Sequence, residues 1–277
     1  MSQYRIYMQN LTTTLIISTY NWIDALQLCL QSVANQTILP NEVIIADDGS
    51  RPDTAERIDE LRTTFPCGLI HVWHEDRGFY KCEILNKAIQ KASGEYIIQI
   101  DGDIVLEKHF IHDHLQFARK GCFVAGSRVL LSKELSEQLL TGKKQRITFF
   151  TKGIRNPLNT LRIVFLRNYF RFRYKANKPY YAKGCNMAFW KNDVIAVNGY
   201  NEDMIGWGYE DSEIVARLIH SGVKRQFIKF AAVQYHIFHQ LFDRDREPIN
   251  WNIFQKAIAE KTKWCENGID KNGIEKK

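Results

Sequence analysis

Four short apolar runs in the first hundred residues constrain this chain more than anything else in it. Thr14-Leu15-Ile16-Ile17-Ser18-Thr19-Tyr20 is β-branched, apolar and too short for a helix, which is the pattern of a strand buried on both faces. Glu42–Ala46, Leu69–Trp73 and Tyr96–Ile100 repeat it. Between the first two, Ala25, Leu26, Leu28, Cys29 and Val33 recur at helical spacing, with Asn21 and Asp24 as capping residues. Helices are also expected near Thr54–Thr64 and Lys81–Ala92. Such alternation predicts an α/β fold, a mostly parallel sheet flanked by helices on both faces. Past Gly121 the pattern weakens. Phe123–Leu131 and Phe227–Tyr235 read as strands, and Leu158–Tyr174, Asp193–Val197 and Asp211–His220 as helices. The tail from Asn267 is polar and is expected to fray.

Ligands on parallel sheets gather at the carboxyl ends of the strands, and two acidic motifs stand there. Asp101-Gly102-Asp103 ends an apolar run. Alternate strand residues share a face, so the two carboxylates can address one Mg²⁺ or Mn²⁺ that neutralises a leaving diphosphate. An ordinary Asp-Gly turn explains the triplet as well. Asp47-Asp48-Gly49-Ser50 can bind uracil N3–H or ribose hydroxyls, or simply form a turn. His236 and His239 could join Asp103 in a mixed site suited to Mn²⁺; otherwise they are two ordinary histidines. Arg77 and Lys81 could reach a diphosphate or lie solvated. Glu210-Asp211 could take a proton from an acceptor hydroxyl, or only favour a helix start. The preceding Gly206-Trp207-Gly208 tips that balance, because an indole beside two acids can grip a sugar.

The 277 residues suffice for one or two packed domains, and 45% hydrophobic with 25% charged content is that of a globular protein. There is no apolar stretch of about 18 residues to cross a membrane, and Met1-Ser2-Gln3-Tyr4-Arg5 does not open a signal peptide. Six scattered cysteines without a CxxC pair suit reduced thiols in a cytosolic protein. The net charge of +7 is local. Lys143 to Lys178 holds eleven Lys or Arg and no acid, and the rest of the chain has 27 basic against 31 acidic residues. Phenylalanines and tyrosines interleave with those cations. The segment could lie on anionic lipid, bind a polyanion such as an acidic saccharide or nucleic acid, or be a solvated face; the membrane surface is favoured over nucleic acid.

Thr19-Tyr20-Asn21, Asp47-Asp48-Gly49-Ser50, Arg77-Gly78-Phe79, Asn86-Lys87-Ala88, Asp101-Gly102-Asp103, Lys183-Gly184-Cys185-Asn186, Asn198-Gly199-Tyr200-Asn201-Glu202 and Gly206-Trp207-Gly208-Tyr209-Glu210-Asp211 together resemble the family 2 glycosyltransferases of GT-A fold. More narrowly, the chain is similar to bacterial members whose C-terminal part resembles β-1,4-galactosyltransferases and chondroitin-polymerase-type enzymes. The family pattern has Gly where this chain has Tyr209. The resemblance implies donor contacts from Thr19, Tyr20, Asp47, Asp48, Arg77, Lys81, Asp101, Gly102 and Gly184, with Asp47 and Asp48 on the uridine. It implies Mn²⁺ or Mg²⁺ on Asp103, with Asp101 helping through water and with His236 and His239. Asp211 is implied as the base, with Glu210 and Trp207 on the acceptor. The implied activity is inverting transfer of a hexosyl or N-acetylhexosaminyl group from a UDP-sugar to a saccharide, lipid-linked in one version, during bacterial surface polysaccharide or lipopolysaccharide synthesis. Residues 1–120 would form the donor half, 121–266 the acceptor and catalytic half, and 267–277 a tail, in a cytoplasmic protein peripheral to the inner membrane. Two other classes compete: a nucleotide-sugar-binding protein without catalysis, and a basic membrane- or polyanion-binding module.

Overall fold

A computed structural model describes residues 11–144, 146–240 and 243–271. The reading of residues 1–5 and the end of the tail, 272–277, lie outside the described residues. The strands are β1 (Thr13–Thr19), β2 (Glu42–Asp47), β3 (Gly68–Trp73), β4 (Tyr96–Asp101), β5 (Ile104–Leu106), β6 (Cys122–Gly126), β7 (Val129–Leu131), β8 (Ile154–Arg155), β9 (Met187–Trp190), β10 (Lys224–Ile228) and β11 (Gln234–His236). The helices are α1 (Ile23–Ala34), α2 (Pro52–Arg62), α3 (Lys81–Lys91), α4 (Phe110–Leu115), α5 (Lys133–Leu140), α6 (Val164–Phe170), α7 (Lys191–Ala196), α8 (Glu210–His220) and α9 (Glu247–Ala259).

The main sheet runs β10-β6-β9-β4-β1-β2-β3, and β9 alone is antiparallel to its neighbours. Both faces are buried, as the unbroken apolar runs require. Leu15, Ile17, Val43, Ile45, Ile98 and Ile100 pack with α1 on one side. Ile16, Ile44, Ala46 and Ile97 pack with α3 and α8 on the other. That two-residue alternation sends each strand's side chains into two separate cores. A smaller sheet, β5-β11-β7-β8, lies beyond the carboxyl end of β4.

Several local expectations are corrected. Phe123–Leu131 is two strands in different sheets, β6 and β7. Phe227–Tyr235 likewise splits into β10 and β11, because Phe230 (φ 58°) and Ala232 (φ 45°) take left-handed conformations between them. The Leu158–Tyr174 helix shrinks to a 3-10 turn at Pro157–Thr160 and to α6. Neither Asn21 nor Asp24 caps α1, which has no side-chain cap; Asn21 Oδ1 instead accepts from the Arg51 amide at 2.9 Å. The stretch Asn267–Lys271 is docked and does not fray. The Ile269 and Asp270 amides donate to Asn198, Ile269 packs into the core, and Lys271 pairs with Glu202 at 2.9 Å.

Candidate active site

The pairing of β5 with β11 assembles one cluster. His236 lies opposite Ile104, and the Ile237 amide donates to the Asp103 carbonyl at 2.9 Å. Asp103 Oδ2 is therefore 3.5 Å from His236 Nε2 and 3.3 Å from His239 Nε2. The three ligand atoms all lie within 4.8 Å of one another. Each Nδ1 faces a backbone carbonyl, Ile237 at 2.9 Å and Gln240 at 2.6 Å. That contact puts the ring proton on Nδ1 and leaves Nε2 a lone pair, the tautomer a metal ligand needs. Burial also depresses the His236 pKa, and Asp103 offsets this only in part. Asp103 Oδ1 is buried with no hydrogen-bond partner among the described residues, an orphaned oxygen of the kind a cation satisfies. The donor set fits a divalent ion.

Asp101 stands beside that cluster with one oxygen engaged elsewhere. Its Oδ1 accepts from Ser18 Oγ at 2.8 Å and from Lys81 Nζ at 2.7 Å. Burial would raise its pKa, but Lys81 and then Ser18 hold it below the usual range. Gly102 is fixed by its amide on the Ser18 carbonyl at 2.7 Å, and a Cβ there would sit 3.1 Å from Thr19 Oγ1. β4 ends at Asp101 and the chain turns before β5, so the carboxylates at 101 and 103 are not carried on one continuous strand.

The second acidic pair opens α8. Asp211 Oδ2 accepts from the Gly184 amide at 2.6 Å, while Oδ1 is buried and has no hydrogen-bond partner among the described residues. A Cβ on Gly184 would come within 2.3 Å of Oδ1, so only glycine leaves room for the carboxylate. Burial raises the Asp211 pKa; Lys81 opposes this and Asp101 reinforces it. Glu210 is pushed up to about 7 by burial and then by Asp211. Lys81 connects the groups. Burial alone would depress its pKa, but Asp101, Asp211 and Glu210 raise it well above the ordinary value. The acids at 101 and 103 and those at 210 and 211 thus share one electrostatic neighbourhood.

The remaining expected residues divide. Asp47 is fully buried, with Oδ1 on the Ser50 amide (2.8 Å) and Oδ2 on His71 (2.9 Å), so it braces its own turn. Asp48 meets His74 at 2.7 Å and the Tyr80 amide at 3.0 Å, and burial raises it to about 6 despite His74. Tyr20 is 45% exposed and donates to Asp76 at 3.0 Å. Arg77 turns to Glu83 at 2.5 Å and lies 4.6 Å over Tyr80. Trp207 is half-buried, and one indole face is taken by Arg244 at 4.4 Å.

One residue was missed by sequence reasoning. Arg128 follows β6 at its carboxyl end, and its Nη1 reaches the Cys185 thiol at 3.7 Å. Burial would lower its pKa, but Cys185, Asp101 and Asp103 raise it. Its signal was an Arg just past an apolar strand, hidden because that strand was read through to Leu131.

The arrangement can be set beside known proteins. The family model described as glycosyl transferase family 2 matches residues 14–187. The chain belongs to glycosyl transferase family 2. The model described as the N-terminal domain of galactosyltransferase matches residues 164–240. Similar proteins include chondroitin synthase of Escherichia coli, 26% identical over 80% of this chain and 34% of the relative. Poly-beta-1,6-N-acetyl-D-glucosamine synthase of Staphylococcus epidermidis is 25% identical over 65% of this chain and 42% of that protein. The chain thus spans about a third of the length of the chondroitin synthase it matches. Among solved structures, S. aureus TarS with UDP gives a TM-score of 0.61 at 15% identity over 90% of this chain and 65% of that one. GalNAc-T7 with UDP, GalNAc and Mn²⁺ gives 0.62 at 16% identity over 83% and 44%. The mannosyltransferase PcManGT of Pyrobaculum calidifontis with GDP-Man and Mn²⁺ gives 0.59 at 18% over 91% and 63%. The fold is GT-A.

Proposed function

We propose that this family 2 chain transfers a sugar, with inversion, from a UDP-sugar to a saccharide hydroxyl during bacterial surface polysaccharide synthesis. The observation that carries the reading is Asp211. One oxygen is pinned by the Gly184 amide, the other is buried and without a hydrogen-bond partner among the described residues, and burial raises the group's pKa. Such an oxygen is set to receive a proton. In the reaction Asp211 Oδ1 takes the acceptor hydroxyl's proton while its oxygen attacks the anomeric carbon. The bond to the diphosphate breaks on the opposite face, which inverts the centre. Glu210 and the open face of Trp207 orient the acceptor. Asp48 holds the base, and Asp47 supports the turn that carries it. Lys81 and Arg128 contribute positive charge beside the leaving phosphates. Asp103, His236 and His239 would hold the divalent ion; two imidazoles with one carboxylate suit Mn²⁺ better than Mg²⁺. When bound, the ion supplies charge neutralisation to the departing diphosphate. UDP is favoured because TarS and GalNAc-T7 were solved with it.

A second part of the reading concerns 143–178, which we assign to an anionic membrane surface, consistent with a lipid-linked acceptor. Among the described residues no helix is long and apolar enough to cross a membrane.

The deciding experiment incubates the purified chain with a panel of UDP-sugars and saccharide acceptors and reads UDP release. Asp211→Asn should lower transfer by about a thousandfold while leaving UDP affinity nearly intact. A variant retaining a tenth or so of wild-type turnover would remove Asp211 as the base.

A further inference from the structure

The segment that makes this protein basic wraps the exposed edge of the main sheet. The Ile163 amide donates to the Phe230 carbonyl at 2.8 Å, and the Phe227 amide of β10 donates to the Arg171 carbonyl at 2.7 Å. Arg225, also on β10, donates to the carbonyls of Lys175 and Lys178, each at 2.7 Å. Helix α6 is clamped on its inner side. Arg162 and Arg167 converge on the fully buried Asp113, at 2.7 and 3.0 Å, and Phe170 packs against Phe230 with ring centres 5.5 Å apart. The outer side is the reverse of a water-facing helix. Phe165 (77% exposed) and Tyr169 (57%) stand one turn apart on α6, and Phe172 (50%) follows in the turn after the helix, where the Tyr174 amide still donates to the Phe170 carbonyl at 3.0 Å, so the three continue one stripe. Arg173 lies 4.7 Å over the Tyr169 ring.

Where that stripe ends, a cleft of about 570 Å³ opens, lined by Phe172, Arg119, Lys120, Lys224 and Cys122. It sits at the amino-terminal ends of β6 and β10, the end of the sheet away from the acids. Lys120 is held 3.6 Å over the Trp190 ring. Arg119 and Lys224 form no ion pair among the described residues. Asp193 is an acid near this cleft: burial raises its pKa and the Lys120 ammonium opposes this, while its carboxylate in turn helps to raise the Cys122 thiol.

We propose that the α6 stripe and this cationic cleft together seat the protein on an anionic phospholipid bilayer, the rings entering the interface and a lipid phosphate entering the cleft. The proposal rests on the membrane reading of 143–178 and locates its contact. The chemistry favours lipid over a protein partner. Aromatic rings suit the boundary between hydrocarbon and water, and the same segment, 143–178, carries eleven cations without one carboxylate, nine of them besides the two held by Asp113. The bilayer would then run alongside the β10 edge, from Phe165 near the carboxyl end of the strands to Phe172 at the far end.

The test is flotation of the full chain with phosphatidylglycerol-containing vesicles and with pure phosphatidylcholine vesicles, at about 0.1 M and about 0.5 M salt. Wild type should float with the anionic vesicles only, and less at high salt. R119A/K224A should bind about thirtyfold more weakly, each basic side chain near such a surface being worth about fivefold. F165S/Y169S/F172S should also lose binding, and the milder F165L/Y169L, which keeps apolar surface, should retain it. UDP release with a soluble acceptor should be unchanged in all of them. If wild type floats with anionic lipid but these variants float equally well, the location proposed here is wrong while the membrane reading stands. If wild type ignores vesicles, both fall. Wild-type dimers that the serine variant dissociates, without vesicle binding, would reassign the stripe to self-association and overturn the proposal, as would equal retention on a nucleic-acid matrix in place of lipid.

Discussion

At the residue scale the site depends on a missing side chain. Gly184 needs no unusual backbone angle; what it supplies is space for the Asp211 carboxylate. Gly184→Ala should therefore displace Oδ1 and lower kcat by about a hundredfold, with the KM for donor nearly constant, since a shift of about 1 Å at a reacting group costs that much. Steady-state kinetics on a folded variant checks it. Glu210 gives a second expectation. Its folded pKa of about 7 lies above the usual carboxylate value, so folding favours the protonated form. The stability it contributes is present below pH about 4.5 and is lost as pH rises through about 7. Glu210→Gln should leave stability unchanged near pH 4 and raise it near pH 8 by about 2 kcal/mol, discounted because Asp211 shares the proton. Urea unfolding at the two pH values measures this; equal effects at both would contradict it.

At the element scale, the turn into α8 is held open by an unfavourable backbone. Tyr209 precedes the helix at φ 66°, ψ −2°, a conformation that costs a non-glycine residue about 1 kcal/mol. Its ring compensates by lying 4.8 Å from Trp251 and stacking on Phe254 at 12°. Tyr209→Gly should relieve the backbone but lose the stack, for a net loss of about 1 kcal/mol in urea unfolding and a raised acceptor KM. The same element shows what a sequence can convey. The positive φ at 209 was legible as a family position occupied by Gly. The left-handed Phe230 and Ala232 were not, because no Gly, Pro or Asn interrupts Lys229-Phe230-Ala231-Ala232 and the run reads as one strand. The core strands were legible because burial on both faces demands unbroken β-branched runs. The partner of Asp103 was legible only as two histidines at a distance, since it depends on β5 pairing with β11. The docking of Asn267–Lys271 was hidden for a similar reason: its partner, Asn198, lies about 70 residues away and spends its side-chain amide on Cys265 and Asp270 carbonyls.

For the whole molecule, the Asp103, His236 and His239 cluster is where the chain leaves the large sheet and enters the small one. An ion held there would bind the folded state alone. Mn²⁺ at about a hundred times its Kd should stabilise the protein by about 2.7 kcal/mol, and EDTA should reverse the shift and stop UDP release. Differential scanning fluorimetry of wild type and His239→Ala separates this from nonspecific salt effects, because the variant should lose most of the shift.

Lys81 has the widest consequence. One ammonium donates to Asp101 at 2.7 Å and is raised in pKa by Asp211 and Glu210 as well. A nucleotide's phosphates arriving near Asp101 would compete for that ammonium, and the less it attends to Asp211, the more tightly Asp211 can take up a proton. On the reading proposed above, donor loading would thus strengthen Asp211 as a base before any alcohol arrives. In kinetic terms the substrates would act in sequence, sugar nucleotide first, and the order would be set by a single shared charge.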